Sequence, residues 1–458
     1  MNTLYPLFRE NVKRNHLIED SDTIILGFSG GKDSVTLAYL LQQLTQDIHF
    51  HLIAAYFNHN LRTDSHDEQQ WVETFCQHRS IPLVIGSKNI IEFKNDHKLN
   101  LEHAASISRY TFFKQLSSQY PNAKVATAHT KSDLTETFFI KLFRGSGLQG
   151  LSTIFHKKDN LIIRPLLLFD QDQILAFLDR NHIAFFSDYT NHQDQFLRNR
   201  IRHSLVPEIQ RIEPDIHQRI FKTVSIIQAE YDYFSEQATH VLNTHLILNQ
   251  ILPTAILKNV HPAMQRHILR EYIRRIKGNL LNIDFDHIEA IRTRHAEVKG
   301  LAIPGVELVF HKGFIFPSGT TIPGYRYTIP YIKTSFSLEI KEIERTMTFE
   351  RVGLFIKNRD NYRIVTPVAS VEFPLTVRLP ERRDRYIKID AAVNQKVIEM
   401  IRSAGIPSEL RNLNPVLVNG DGAIIWSVGS PIADRFKVRD KREKELLTVD
   451  LTRLGILH

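Results

Sequence analysis

The residues best suited to do chemistry in this chain are Ser29-Gly30-Gly31-Lys32-Asp33-Ser34. Two adjacent glycines let the backbone approach an oxyanion with no Cβ in the way. Lys32 brings a positive charge to that approach and Asp33 a carboxylate. An apolar run at 23–28 precedes the six residues, and a helical pattern at 35–44 follows them. A strand that turns through glycines into a helix start is a phosphate site, because free N–H groups and the helix dipole both favour an anion. The pattern is not the Walker type, which needs Gly-x-x-x-x-Gly-Lys followed by Ser or Thr. Here Asp33 follows Lys32, and Leu26 stands five residues before Gly31. The aspartate suits Mg²⁺, which takes one or two carboxylates together with substrate phosphates. A polar turn with Ser29 or Ser34 as helix cap is the plainer alternative. The position between a strand and a helix weighs against it.

Elements must carry this loop and aim other side chains at it. Strand-like runs at 51–57, 81–85 and 124–128 follow the one at 23–28, and helical stretches at 67–78, 101–116 and 133–143 separate or follow them. Strands alternating with helices predict βαβ units and a doubly wound parallel sheet. Ligands in such sheets bind beyond the C-terminal strand ends, at a switch point. Residues 29–34, 58–62 and 129–133 should converge there. The second of these loops offers His59 and Arg62, and the third His129, Asp133 and Glu136. Arg144 lies in a glycine-flanked loop, Arg164 heads an Arg-Pro-Leu-Leu turn, and Asp188-Tyr189-Thr190-Asn191 precedes Arg198, Arg200, Arg202 and His203. Singly each has a dull reading: His59 as a hydrogen-bonded loop residue, Asp133 as a helix cap.

The 458 residues leave room for roughly two to four domains. A 42% hydrophobic and 24% charged composition is that of an ordinary globular protein. No apolar h-region opens residues 1–15 and no run of ~18 apolar residues occurs, which predicts a soluble protein without an export signal. The single cysteine, Cys76, excludes an internal disulfide framework and a cysteine-held iron–sulfur cluster. It reads as a small buried hydrophobe, and a cytoplasmic location fits. The net charge of +8 points to a polyanionic partner.

Beyond Pro214 apolar residues recur at helical steps from Ile216 to Phe234, and helical segments follow near 262–277 and 284–298. Arg270, Arg274, Arg275 and Lys277 make one of these helices basic; a solvated face is its default reading. Residues 300–317 read as a hairpin turning at Pro304-Gly305 and Lys312-Gly313. Residues 320 to about 370 are strand-rich without a firm assignment, and an α+β module runs from 373 to 458. Basic clusters flank that module, at Arg378, Arg382, Arg383, Arg385 and Lys388, and at 435–444, where acids are interleaved.

Ser-Gly-Gly-Lys-Asp-Ser resembles the pyrophosphate loop of the N-type ATP pyrophosphatases. In order with Asn58-His59-Asn60-Leu61-Arg62, residues 128–137, 143–151, 164–167 and 188–203, it resembles the tRNA(Ile)-lysidine synthetases. The motifs are strong over the first ~215 residues, to within a few residues at element boundaries, and weaker beyond. The resemblance implies ATP-dependent joining of lysine to C2 of the wobble cytidine of the CAU-anticodon isoleucine tRNA, through an adenylated intermediate. Lysidine, AMP and pyrophosphate result, and codon reading changes from AUG to AUA. It implies ATP contact by Ser29, Gly30, Gly31, Lys32, Asp33, Ser34 and Arg144, and Mg²⁺ on Asp33 and Asp133. Catalytic roles fall to Lys32, Asp33, His59, Asp133 and Arg198, and tRNA contact to Arg202, Arg274, Arg275, Arg382 and Arg383. His59 and Asp133 are both open as the base that frees the lysine amine.

Where the family writes His-His-x-Asp-Asp-Gln, this chain has Thr130, Ser132 and Leu134 at the second, fourth and last places along His129–Leu134 and keeps His129 and Asp133. Ser106 stands where the family carries arginine. These departures favour the one rival of another class, a degenerate tRNA-binding protein without ligase activity. The intact Lys32 and Asp33 argue against it, since a binder needs neither. A sulfurtransferase sharing the loop would need paired cysteines. The expected organisation is a catalytic domain at 1–213, a tRNA-contacting helical domain at 214–318, a strand-rich connection at 319–370 and a C-terminal α+β tRNA-binding domain at 371–458. The partners are that tRNA and free lysine, with no membrane; a homodimer is one option for the oligomeric state.

Overall fold

The computed structural model describes residues 4–59, 65–97, 100–186, 197–294, 298–355, 361–404, 406–440 and 442–452. Asn60, Leu61, Arg62 and residues 188–191, named above, lie outside the described residues, as does Lys441 of the 435–444 cluster. The chain divides into two units, 1–232 and 233–458.

The first unit is built on a six-stranded sheet. Its strands are β1 (Thr23–Gly27), β2 (His51–Asn58), β3 (Leu83–Ser87), β4 (Ala123–Ala126), β5 (Lys157–Lys158) and β6 (Ile162–Ile163), in the order β3-β2-β1-β4-β6-β5. All neighbours run parallel except β5 against β6. Thr-Ile-Ile-Leu-Gly is apolar almost throughout because β1 is buried on both faces, as parallel strands between helices are. Ile24 and Leu26 point into a core with Phe8, Leu37, Leu41 and Phe177, while Ile25 points into another with Phe113 and Leu116. Successive side chains thus serve opposite faces. The chain moves outward from β1 to β2 and β3, then returns to place β4 on the other side of β1. The strand order reverses between β1 and β4, and the loops leaving these two strands open a crevice there.

Helix Lys32–Leu44 starts three residues earlier than its apolar periodicity predicted, so Lys32, Asp33 and Ser34 form its first turn. Polar first-turn residues carry no periodic signal, which is why the pattern appears to start at Val35. The helices Ser65–His78, Leu101–Ser117 and Lys131–Phe143 match the expected stretches within a few residues. Strands β5 and β6, two residues each, were not foreseen. A π-helical turn, Ile201–Leu205, sits between the helices Leu197–Arg200 and Val206–Ile212. Helix Ile216–His245 carries the chain from the first unit into the second.

In the second unit, helices Pro262–Lys277 and Phe285–Arg292 pack over a core that includes Leu242, Leu269 and Ile288. The expected hairpin is present as Val298–Ile303 against Val306–His311, with Phe314–Pro317 adding a third strand and Leu252–Pro253 a fourth. Gly305 turns it at φ +87°, a left-handed conformation that favours glycine. The strand-rich region resolves into pairings of long sequence separation. Arg326–Ile329 pairs with Leu375–Arg378, and the late strand Leu446–Leu451 lies between Arg345–Val352 and Arg363–Pro367. Residues 326–367 and 375–451 therefore share two sheets and one core. Among the described residues no helix is long and apolar enough to cross a membrane.

Candidate functional site: a phosphate loop between two cavities

Gly31 is the N-cap of helix Lys32–Leu44 and no side chain caps it. The first N–H groups of that helix therefore remain available to an anion. The loop is held from behind. Ser34 Oγ donates to the Gly31 carbonyl at 2.9 Å and lies 3.3 Å from both the N–H and the Oγ of Ser29. Gly30 has φ +74°, and a Cβ there would meet the Trp71 ring at 3.2 Å. Its carbonyl accepts from the Phe186 N–H. Glycine is required at Gly30 for conformation and for room.

Asp33 separates two cavities. The first, about 280 Å³, is lined by the loop and by Tyr56, His59, Glu68, Arg109, His129 and Asp133. The second, about 320 Å³, has Lys32, Asp33, Glu136, Asp170, Asp172 and Arg202 on its walls, with Gln171 and His217. Burial, and after it the charge of Asp133, pushes the Asp33 carboxyl up to about 6, against the opposing pull of Lys32, Gln171 and Arg202. Gln171 Nε2 donates to Asp33 Oδ1 at 3.1 Å and lies 3.4 Å from Thr130 Oγ1. This neutral donor orients the aspartate without cancelling its charge.

Asp133 serves two masters. It is the reciprocal partner in a capping box with Thr130, whose N–H donates to Oδ2 at 2.8 Å, while Oδ1 accepts from Arg198 Nη2 at 2.9 Å. Burial pushes its pKa up, but Arg198, His129 and the Thr130 N–H outweigh burial and leave it lowered. Glu136, with 2% of its side chain exposed, accepts from Arg198 Nε at 2.8 Å and from Arg202 Nε and Nη2 at 2.5 and 2.9 Å. The two arginines and two acids form one network behind the loop.

His59 and His129 are both held neutral. Burial, then Arg109, depresses His59 to about 4, and burial depresses His129 to about 4 despite the nearby Asp133 charge. The buried His59 Nδ1 has no hydrogen-bond partner among the described residues. Thr127 Oγ1 lies 2.9 Å from His129 Nδ1. Buried Arg164 donates to the Phe155 carbonyl and hydrogen-bonds Tyr110, so this arginine braces the cavity wall.

The crevice gathers Ser29, Gly31, Asp33, Ser34, His59 and Asp133 around the first cavity and Lys32, Asp33 and Arg202 around the second, with Arg198 tied to Asp133 and Glu136. Arg144 is not brought there. It is the exposed C-cap of helix Lys131–Phe143, eleven residues beyond Asp133 and so roughly 16 Å along the axis. Arg274 and Arg275 are engaged by Glu271, and Arg275 also by the Thr239 carbonyl. Arg382 and Arg383 are exposed, beside an Asp384 that clamps the half-buried Arg378 with two hydrogen bonds. In the late basic cluster, Arg435 pairs with Asp421, and Lys437 and Arg439 with Asp434. Arg109, Gln171, Asp170, Asp172 and His217 were not picked as site residues. Only Arg109, standing near a departure from the family pattern, gave a signal in the sequence.

Among the described residues no group of three or more His, Cys, Asp or Glu is arranged to hold a metal ion. The paired charges of Asp33 and Asp133 still suit a hard divalent cation that brings its other oxygens from phosphate and water.

A doubly wound sheet with an uncapped glycine loop at its switch point defines an ATP-binding protein of the PP-loop class, and residues 5–209 match the family model for the PP-loop domain, ATP_bind_3. The similarity extends over nearly the whole chain in curated relatives. The tRNA(Ile)-lysidine synthase of Geobacter sulfurreducens is 32% identical across 90% of each chain. That of Clostridium tetani is 26% identical across 96% of each, and that of Persephonella marina 27% identical across 95% of this chain and 97% of its own. The chain belongs to the tRNA(Ile)-lysidine synthase family.

Proposed function

We propose that the protein is a ligase that uses ATP and free lysine to convert the wobble cytidine of the CAU-anticodon isoleucine tRNA to lysidine. The observation that carries this reading is the position of Lys32 and Asp33 on an uncapped helix N-terminus between two chemically different cavities. The first cavity takes the nucleotide, with the α-phosphate against the Gly31–Lys32 backbone. The N–H groups and Lys32 stabilise charge as it builds on the departing pyrophosphate. Asp33, with Asp133, would hold Mg²⁺, which when bound neutralises phosphate charge. The second cavity, with Asp33, Asp170 and Asp172 for an ammonium group and Lys32 and Arg202 for a carboxylate, suits a zwitterionic amino acid and is the place for the lysine substrate. Free lysine is protonated at pH 7, so the amine must lose a proton before attack. Neutral His59, with its unpartnered Nδ1, is the acceptor available in the nucleotide cavity. The domain roles proposed are catalysis in residues 1–213 and tRNA contact in 214–318 and 371–458.

Transfer of labelled lysine to unmodified CAU-anticodon isoleucine tRNA, with ATP and Mg²⁺, tests the reading; the methionine tRNA with the same anticodon is the control. Label in the isoleucine tRNA alone is expected. Tight tRNA binding without label would support the degenerate binder instead.

Gln171 supplies a second check. Removing the amide that orients Asp33 should weaken the metal site as loss of a ligand's outer partner does, by about tenfold. Gln171→Ala is expected to raise the Mg²⁺ concentration at half-maximal pyrophosphate release by that factor, with Gln171→Asn in between. An unchanged midpoint would reduce Gln171 to a packing group.

A further inference from the structure

Three carboxylates, Asp33, Glu68 and Asp133, stand on the wall of the first cavity, and Arg109 is the one lysine or arginine among the described residues that line it. The other cations of the crevice are engaged or face elsewhere. Lys32 lines the second cavity. Arg198 and Arg202 are bonded to Asp133 and Glu136, and Arg164 is held by the Phe155 carbonyl and Tyr110. Arg109 makes no hydrogen bond or ion pair among the described residues; its guanidinium lies 5.7 Å from the centre of the Tyr110 ring. Its charge lowers the pKa of both His59 and His129, so it stands within electrostatic reach of both rings.

The helix below it fixes its place. Arg109 sits in the third turn of helix Leu101–Ser117. Phe112 packs at 5.4 Å on Phe57, and Phe113 is buried in a core with Ile25 while also lining the cavity. Residues three and four apart share a helix face, so the packing that seats these two rings holds Arg109 at the same cavity. A guanidinium on a rigid element, with its fork unspent, suits a phosphate group.

Charge at the nucleotide develops differently in the two steps of the proposed reaction. In the first it builds on the departing pyrophosphate, beside the loop and Lys32. In the second the lysine nitrogen bonds to C2 and the C2–O bond breaks. The electron pair of that bond stays on the oxygen of the departing AMP, and the amine gives its proton to the base. The phosphate gains a negative charge at that moment, in a cavity already lined by three carboxylates. A cation already in place where charge develops lowers the barrier.

We propose that Arg109 is a catalytic residue of this second step: it holds the phosphate of the adenylated cytidine and stabilises the charge that grows as AMP leaves. The proposal rests on the functional reading above and adds to it the group that serves the leaving AMP.

The test uses the full chain carrying Arg109→Gln or Arg109→Lys. With protein in excess over unmodified isoleucine tRNA, pyrophosphate release reports the first step and transfer of labelled lysine the second. Arg109→Gln is expected to slow lysine transfer by about a hundredfold, the loss typical of one donor at a developing charge. Pyrophosphate release should slow far less, and adenylated tRNA should accumulate. Arg109→Lys keeps the charge without the fork and should fall between. Equal slowing of the two steps, or none, overturns the assignment. Equilibrium binding of AMP and of adenosine gives a readout that needs no turnover. Arg109→Gln should bind AMP about tenfold more weakly and adenosine as before. Equal loss of both would reduce Arg109 to a group that shapes the cavity, and would overturn the proposal. Failure of the unaltered chain to transfer lysine would remove the functional reading and the second-step role with it. Transfer by the unaltered chain, matched by Arg109→Gln, would remove the Arg109 role alone.

Discussion

Asp33→Asn is expected to yield a protein that is more stable without ligands and at least about a hundredfold slower in ATP-dependent pyrophosphate release. The two effects share one cause. In the folded chain burial and the Asp133 charge raise the Asp33 pKa from 3.8 to about 6. A carboxyl whose folded pKa lies above its unfolded value binds its proton more tightly when folded. Its relative contribution to stability is greatest below pH ~4 and is lost as pH rises through ~6. At pH 8 the charged aspartate costs on the order of 1–3 kcal/mol, and an uncharged asparagine of the same shape avoids that cost. The Gln171 donor still finds an oxygen. Thermal melts of both proteins at pH 8 and pH 4.5 would show it: the variant melts a few degrees higher at pH 8, and the gap closes at pH 4.5. Equal melting at pH 8 would mean that the buried charge carries no penalty.

Glu136→Ala should be the most destabilising single change in the crevice, at about 2–4 kcal/mol by urea denaturation. Its carboxylate is almost wholly buried and receives three hydrogen bonds from two guanidinium groups. Removing one partner from a buried ion network leaves the rest uncompensated, at ~3–5 kcal/mol. Arg202 is 38% exposed and Arg198 31% exposed, so solvent recovers part of this. Glu136→Gln keeps the shape and one acceptor, and should regain less than half of the loss. If Ala and Gln variants unfold at the wild-type urea midpoint, the network is a surface ornament and Arg198 and Arg202 are free to leave it at no cost.

The sheet of the first unit was legible because buried parallel strands are short apolar runs and the helices between them are periodic. The switch point followed from the order of those runs, and with it the meeting of residues 29–34, 59 and 129–133. Other features left no local trace. A two-residue strand such as Ile162–Ile163 has no period to detect. Arg144 sits beside glycines, which marks a loop but not which end of a helix the loop leaves. Gln171 is uncharged and meets Asp33 across 138 residues of sequence. Among the strands between 320 and 370, Arg345–Val352 and Arg363–Pro367 acquire their places only when Leu446–Leu451 pairs with both, and Arg326–Ile329 only when Leu375–Arg378 pairs with it, contacts that no short window contains. The charges expected to meet tRNA were hardest to read. Arg275 and Arg378 look available in the sequence and are spent on neighbouring groups in the fold.

Because Asp33 lines both cavities, the two binding events proposed above would be interdependent. A positive group entering on the Lys32 side would favour the ionised carboxylate, and a positive ion on the nucleotide side would do the same. Each occupant therefore lowers the free energy of ionising a group that both share, while the two cations repel each other across it. By reciprocity, whatever factor one exerts on the affinity of the other is returned in equal measure. On the proposed function, one carboxylate would give the protein a heterotropic coupling between nucleotide and lysine, with no subunit interface or moving domain required.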